Sequence, residues 1–453
     1  MPGYMSWKNL NKEEFYAMTE EGYDTSAALR AAEGKTPLPF PGIGQEGGGD
    51  SSVDWEQAYE QLWAIREQGL CKGYPYIEPV SWEDIQQEMS ELPPQPALTE
   101  PVYCERLSGA VHGRIAGVIL GKPLENGMSR EDIRQYLESI GEYPLNGYVS
   151  GYSPKLDIRL REDCVPSTKG NVRYAQTDDD INYTLLAMRL VEKYGLDFTP
   201  YQVGLNLLDN IPYHWLWCSS RQAFYRMVTL IHEEPIDKQV ASFPWKLNPW
   251  RECIDGQIKT DLYGYICPGD PLTAAKLAYR DCSFSLAKNG SYGGMFVAAC
   301  VAAAMTENPT VDRIIDSGLA VIPKKSRLHE AISWVRERYA ALGDPEAVCK
   351  EIEERFKDMP FAGTMNNLSM TALALLCGKL DYSATITHAV MFGIDTDCNG
   401  GTAGSICGAA VGRSGIEDRW IEPLNDTVHT CVADIGRIGI AEMTDRIAKL
   451  RVR

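Results

Sequence analysis

The chain has 453 residues, 44% of them hydrophobic, enough for a large buried core or for a core plus an appended segment. Its formal net charge of −18 repels phosphate backbones, so nucleic acid is not an expected partner, and a phosphorylated ligand would have to be held by a helix N-terminus or a bound cation. The 13 cysteines include no CxxC pair and no zinc-like Cys/His spacing, no apolar run reaches the length of a membrane span, and the start MPGYMSWKNLNKEEF lacks a signal pattern, so reduced thiols in a cytoplasmic protein with no membrane partner are expected.

Residues 1–31 read as one or two short polar helices anchored by Trp7, Phe15, Tyr16 and Tyr23. The stretch 36–52, TPLPFPGIGQEGGGDSS, is loop or linker. Helix returns over 53–69, where Val53, Ala58, Leu62 and Ile65 recur at three- to five-residue intervals. A second Pro-rich stretch, LPPQPALTEP at 92–101, marks the expected boundary between an N-terminal helical extension, 1–100, and a main domain, 101–453, on which it packs.

The main domain opens with PVYCERLSGAVHGRIAGVILGKPLE, where Gly109, Gly113, Gly117 and Gly121 lay bare backbone along one helical face. Pro123 stops this helix and Glu125 lies just beyond. Residues 126–172 read as irregular. Then Gln176, Thr177, Asp178, Asp179 and Asp180 precede a helical run, INYTLLAMRLVEKYG, which puts the acids at a helix start. One or two acids there are ordinary capping; three in succession repel one another and suit a cation. The aromatics of 196–280 read as core, with a lid or pocket wall as the alternative. Asn289 to Gly294 read as a Gly-rich turn before a small-residue helix, either a plain structural turn or a backbone cradle for an anion. Two amphipathic helices joined at 343–345 are expected over 310–358, a buried helix over 364–379 and another over 381–392. The last runs into GIDTDCNGGTAGSICGAAVG, with Asp395 and Asp397 ahead of a second stripe, Gly400, Gly404, Gly408 and Gly412. Two bare-faced helices can cross closely or share a ligand site. A final helix over 431–453 carries Val432, Ile435, Ile438 and Ile440. The expected class is all-α, in one large bundle-like core.

If the two acidic clusters converge, at least four carboxylates meet, at a cost that divalent cations remove. Carboxylates and a threonine hydroxyl are hard oxygen ligands, which suits Mg²⁺ or Mn²⁺. The six histidines are scattered, which disfavours zinc or non-haem iron. Bridging carboxylates can hold two ions a few ångströms apart.

GRIAGVILGKPLE, QTDDD and GIDTDCNGGTAGSICGA, in this order and at these separations, resemble the motifs of the ADP-ribosylglycohydrolase family over roughly 102–430. The resemblance implies an all-α, single large orthogonal helical bundle, here with a small helical N-terminal extension. It also implies a dinuclear Mg²⁺ (or Mn²⁺) site and hydrolysis of an N- or O-glycosidic bond at C1 of a ribose. By motif, Thr177, Asp178 and Asp179 correspond to the first set of metal ligands, and Asp395, Asp397 and the position of Cys398 to the second. Glu125 falls where an acidic residue gates or assists, and Asn289, Gly290, Ser291 and Tyr292 resemble a ligand-contacting loop. Two departures stand out. Cys398 replaces a threonine ligand, and a neutral thiol is a poor ligand for a hard cation. Leu286 stands where a polar residue or His is expected before the Gly-rich turn.

The expected mechanism is attack by metal-activated water on C1, with Glu125 or Asp397 taking its proton. The substrate is an ADP-ribosyl conjugate or a related small riboside. The alternative is a non-catalytic, ligand-binding or structural relative with an altered metal site. A metal-dependent phosphoesterase ranks last, because no phosphate-gripping basic motif accompanies the acids.

Overall fold

The computed structural model describes residues 6–26, 54–92, 98–125, 127–230 and 235–452. The loop expected over 36–52 lies outside them, as does the 93–97 part of the expected boundary. The segment 1–100, expected as an extension, contributes α1 (Trp7–Glu20), α2 (Trp55–Ala64) and α3 (Trp82–Glu88). The main domain runs α4 (Glu100–Gly121), α5 (Arg130–Ile140), α6 (Asp179–Tyr194), α7 (Pro200–Asn210), α8 (Cys218–Leu230), α9 (Ile236–Gln239), α10 (Asp255–Lys259), α11 (Asp261–Ile266), α12 (Pro271–Cys282) and α13 (Asn289–Ala304). It continues with α14 (Val311–Ala320), α15 (Arg327–Leu342), α16 (Pro345–Arg355), α17 (Thr364–Gly378), α18 (Tyr382–Met391), α19 (Thr396–Val411), α20 (Asp418–Ile421) and α21 (Ile440–Ala448). Two antiparallel hairpins complete it: β1 (Tyr152–Ser153) with β2 (Ile158–Arg159), and β3 (Val428–His429) with β4 (Arg437–Ile438). The fold is all-α.

Helices α4 and α19 form its axis. Their glycine stripes face each other in antiparallel register. A methyl at Gly109 would lie 2.3 Å from the Gly408 carbonyl oxygen, at Gly113 2.3 Å from that of Gly404, at Gly117 2.1 Å from that of Gly400, and at Gly121 2.2 Å from that of Thr396. The spacing of four residues on both helices lets each glycine meet its counterpart, so backbone packs on backbone along the whole contact. Around this pair, α13 and α17 are buried on nearly every face, as their small and apolar sequences require. Of the aromatics in 196–280, Phe224 and Trp250 are core, while Trp215, Trp217 and Trp245 are half-buried at its edge.

Several expectations are corrected. The irregular stretch 126–172 contains α5, which starts at a capping box between Ser129 and Asp132 and closes on Gly141 at φ +71°. Residues 310–358 hold three helices rather than two, because Ser326 caps a new start after the Pro323 turn. The last helix begins only at Ile440, since 437–438 pair as β4. The Asn289–Gly294 stretch is no turn: Lys288, at φ +47°, makes the bend, and Asn289 is already helical.

The extension is joined to the main domain by buried ion pairs. Arg251, fully buried, donates to Glu14 Oε1 at 2.7 Å and to Glu21. Lys288 and Arg66 reach Glu21 Oε2 at 3.2 and 3.0 Å. Farther along, Glu78 accepts from Arg327 at 2.7 Å, and Arg327 also holds Glu252 at 2.8 Å.

Candidate metal centre

The glycine contact places the site. Because Gly121 packs on Thr396, the end of α4 stops where α19 starts, and Thr396 Oγ1 donates to the Gly121 carbonyl at 2.8 Å. Lys122 and Glu125, just past α4, therefore meet Asp395, Asp397 and Cys398 at the opening of α19. Helix α6 is brought in by Arg114 of α4. Its guanidinium donates to the Asp180 carbonyl at 2.8 Å and lies 3.2 Å from Asp180 Oδ1, while its Nε is 3.0 Å from Asp261 Oδ2. Cys398 Sγ donates to Asp180 Oδ2 at 3.2 Å, which joins the starts of α6 and α19 directly. Asp178 is the N-cap of α6 and accepts from the Asp180 N–H at 3.0 Å. Asp395 is the N-cap of α19.

Six carboxylates thus gather from three chain segments: Glu125; Asp178, Asp179 and Asp180; Asp395 and Asp397. Asp178 has Lys122 Nζ at 2.5 Å and Asp180 has Arg114. Glu125 has a more distant cation, Arg161 Nη1 at 3.9 Å. The rest of the charge is met by no comparable cation among the described residues. Burial, then Asp397 and Glu125, hold the Asp395 carboxyl well above the usual carboxylate range. Burial, then Asp397, Asp178 and Asp179, do the same to Glu125, and burial with Asp178 and Asp397 to Asp179. Asp397 is raised by burial and Asp178. Burial and the acids around it keep the Cys398 thiol protonated, so it serves as a donor to Asp180.

The residues fit a hard divalent cation. Asp395 Oδ1 is buried and has no hydrogen-bond partner. An orphaned carboxylate oxygen in a crowd of like charges is costly alone and is what a cation would satisfy. Both Asp395–Asp397–Cys398 and Asp178–Asp179–Asp180 offer ligand atoms within 4.8 Å of one another. Thr177, half-buried, directly precedes the second group. A second layer braces the first. Asn367 Oδ1 accepts from the Asp395 N–H at 3.3 Å and from Asn399 Nδ2 at 2.9 Å, and Asn399 Oδ1 accepts from Gln257 and Thr371, each at 3.0 Å.

The four residues expected as a ligand-contacting loop are not a loop. Asn289, Gly290, Ser291 and Tyr292 are the buried first turn of α13. Asn289 donates to Glu78 at 2.7 Å and Glu252 at 2.9 Å and accepts from the Leu328 N–H, while Tyr292 donates to the Pro79 carbonyl. Asn289 and Tyr292 thereby hold residues 78–79. Sequence reasoning also missed residues. Lys122, inside the quoted GKPLE, had a signal, as the one cation flanking the motif. Arg114 had a weaker one, a charge on a small-residue helix. Asn367 and Asn399 had none beyond being polar in buried segments.

A family model described as ADP-ribosylglycohydrolase matches residues 99–452. Among solved structures, one described as an ADP-ribosylglycohydrolase-related protein complex aligns at 16% identity, over 77% of this chain and 98% of that chain, with a TM-score of 0.47. No curated protein matches the sequence. With the family match spanning more than three quarters of its length, the chain belongs to the ADP-ribosylglycohydrolase family.

Proposed function

We propose that the protein is a metal-dependent glycohydrolase that cleaves the N- or O-glycosidic bond at C1 of a ribose, in an ADP-ribosyl conjugate or a related small riboside. Family membership supports a glycohydrolase. The observation that carries the metal dependence is the orphaned, buried Asp395 Oδ1 among carboxylates from three segments. Asp178, Asp179, Asp395 and Asp397, with Thr177, would hold two ions, Mg²⁺ or Mn²⁺. When bound, such ions supply positive charge that makes water more acidic and orients hydroxyl groups.

The chain's own residues do the rest. Glu125 is half-buried at the edge of the group, and with the surrounding charge met by bound ions its carboxylate would take the proton from water approaching C1. The remaining carboxylates stabilise positive charge developing on the ribose. Asn367, itself held by Asn399, fixes the backbone at Asp395. The Asn289–Tyr292 segment has no part in this reading.

The test is incubation with ADP-ribosyl-arginine, ADP-ribosyl-serine and a nucleoside panel, with Mg²⁺ or Mn²⁺ and then with excess EDTA. Release of the ribosyl product that stops in EDTA and in Asp178→Ala or Asp395→Ala, with helical content retained, is expected. Full activity in EDTA would rule the proposal out. One observation favours a non-catalytic relative: Cys398 spends its thiol on Asp180 where the family carries a threonine ligand. Calorimetric titration decides, since that reading requires that neither Mg²⁺ nor Mn²⁺ bind.

A further inference from the structure

A second group of ligand atoms lies beside the acidic centre and plays no part in the proposed reaction. Cys218 opens α8, Cys253 lies in the turn before α10, and Asp255 is the first residue of α10. All three are at least nine-tenths buried, at 5%, 5% and 3% exposure. Their two sulfurs and a carboxylate oxygen lie within 4.8 Å of one another. Two touching thiols alone would be ordinary core packing. A buried carboxylate oxygen within 4.8 Å of both sulfurs adds a third donor that such packing does not need.

Asp255 is held by Ser219 Oγ at 2.7 Å and the Ser220 N–H at 2.9 Å, and both bonds fall on Oδ2. That is the support usually found behind a ligating carboxylate, with Oδ1 carrying neither bond. Cys218 sits at φ +40°, a conformation that L residues rarely adopt and that persists where the surroundings impose it. The donor set also differs in kind. Two sulfurs and one oxygen prefer a borderline-soft ion, whereas the acidic centre offers oxygens to a hard one.

We propose that Cys218, Cys253 and Asp255 form a binding site for one borderline-soft divalent cation of the Zn²⁺ class, separate from the acidic centre and adjacent to it. Binding displaces the two thiol protons to solvent and leaves the fourth position to water or a ligand. The ion would fasten the start of α8 to the turn before α10. That turn is tied to α17 by the Cys253–Gly363 bridge and by Thr364 Oγ1, which donates to the Cys253 carbonyl at 2.8 Å. Helix α17 carries Asn367, which braces Asp395, so the soft site would stiffen the wall of the hard one.

The test uses the reduced full-length protein titrated with Co²⁺. One equivalent should produce a sulfur-to-metal charge-transfer band. The band should persist in Asp178→Asn and Cys398→Ser, and vanish in Cys218→Ser and Cys253→Ser. X-ray absorption of the Zn²⁺-loaded wild type, which needs no variant to fold, should show two sulfur neighbours. A zinc shell of oxygen and nitrogen alone, a band surviving the Cys218→Ser/Cys253→Ser pair, or a band lost with Cys398→Ser alone would each overturn the proposal.

Discussion

Asp395 sits where its helix favours one negative charge and its neighbours oppose it. The first turn of α19 stabilises a carboxylate by a fraction of a kcal/mol. Asp397, Glu125 and burial act the other way. Replacing it with Asn keeps the shape and removes the charge, so metal-free Asp395→Asn should melt higher than metal-free wild type. The wild type should gain Tm with Mn²⁺ and Asp395→Asn should not, as read by thermal scanning with and without chelator. The pH dependence has a definite sign. Asp395, Glu125 and Asp179 have folded pKa values raised above their unfolded values, so the folded state holds protons that the unfolded state has released. Metal-free stability should therefore fall as pH rises from about 4 through those raised values, and urea unfolding should show a shallower fall in Asp395→Asn. Cys398→Thr should tighten Mg²⁺ binding by about tenfold in calorimetry, since a hydroxyl replaces a thiol at a hard site. The acids of 178–180 stood out in the sequence because three in succession at a helix start exceed what capping uses. Lys122 was passed over despite its place in the GKPLE motif, because a lysine after a helix reads as solvated until its partner is known.

At the level of elements, the glycine stripes decide where everything else goes. Gly117→Ala would put a methyl 2.1 Å from the Gly400 carbonyl oxygen, with backbone rather than a movable side chain in the way. The two helices would have to part, at a cost of about 3 kcal/mol or more, and Glu125 would move away from Asp397 with them. Both chemical denaturation and the metal-dependent rise in Tm should register it. Gly147→Ala, where nothing lies within 4 Å, should stay within about 0.5 kcal/mol of wild type. This contact could be read from spacing, since two runs of glycine at every fourth residue have matching faces. The glycines of 289–294 misled for the opposite reason. Gly290, Gly293 and Gly294 are there because α13 packs tightly on Arg251, Thr364 and Cys282, and tight helix packing and a turn use the same residue. Helix α5 was missed although its capping box stood in the sequence, because the glycines around it read as loop.

Across the whole molecule, the extension and the main domain share charges that neither could leave unpaired. Glu21 lies under Arg251, Lys288 and Arg66, and Glu14 under Arg251, while Glu78 lies under Arg327. No periodicity links α1 to residues more than two hundred positions later, so these contacts could not be read from the sequence. The buried cations of the main domain make the consequence severe. Glu21→Gln leaves Arg251 and Lys288 short of a counter-charge in a dry setting, which costs about 3–5 kcal/mol by the usual penalty for breaking a buried pair. Arg251 and Lys288, despite burial that acts against it, hold the folded Glu21 carboxyl well below the usual range. Its stabilisation is therefore complete above the unfolded carboxyl value of about 4.3 and is lost as pH falls toward the folded one. Urea unfolding from neutral to acid pH should show the wild type losing stability below about pH 4 more steeply than Glu21→Gln. Parallel curves would mean that the N-terminal segment is held by its apolar contacts with the main core, Ile85 and Leu98, and not by its charges.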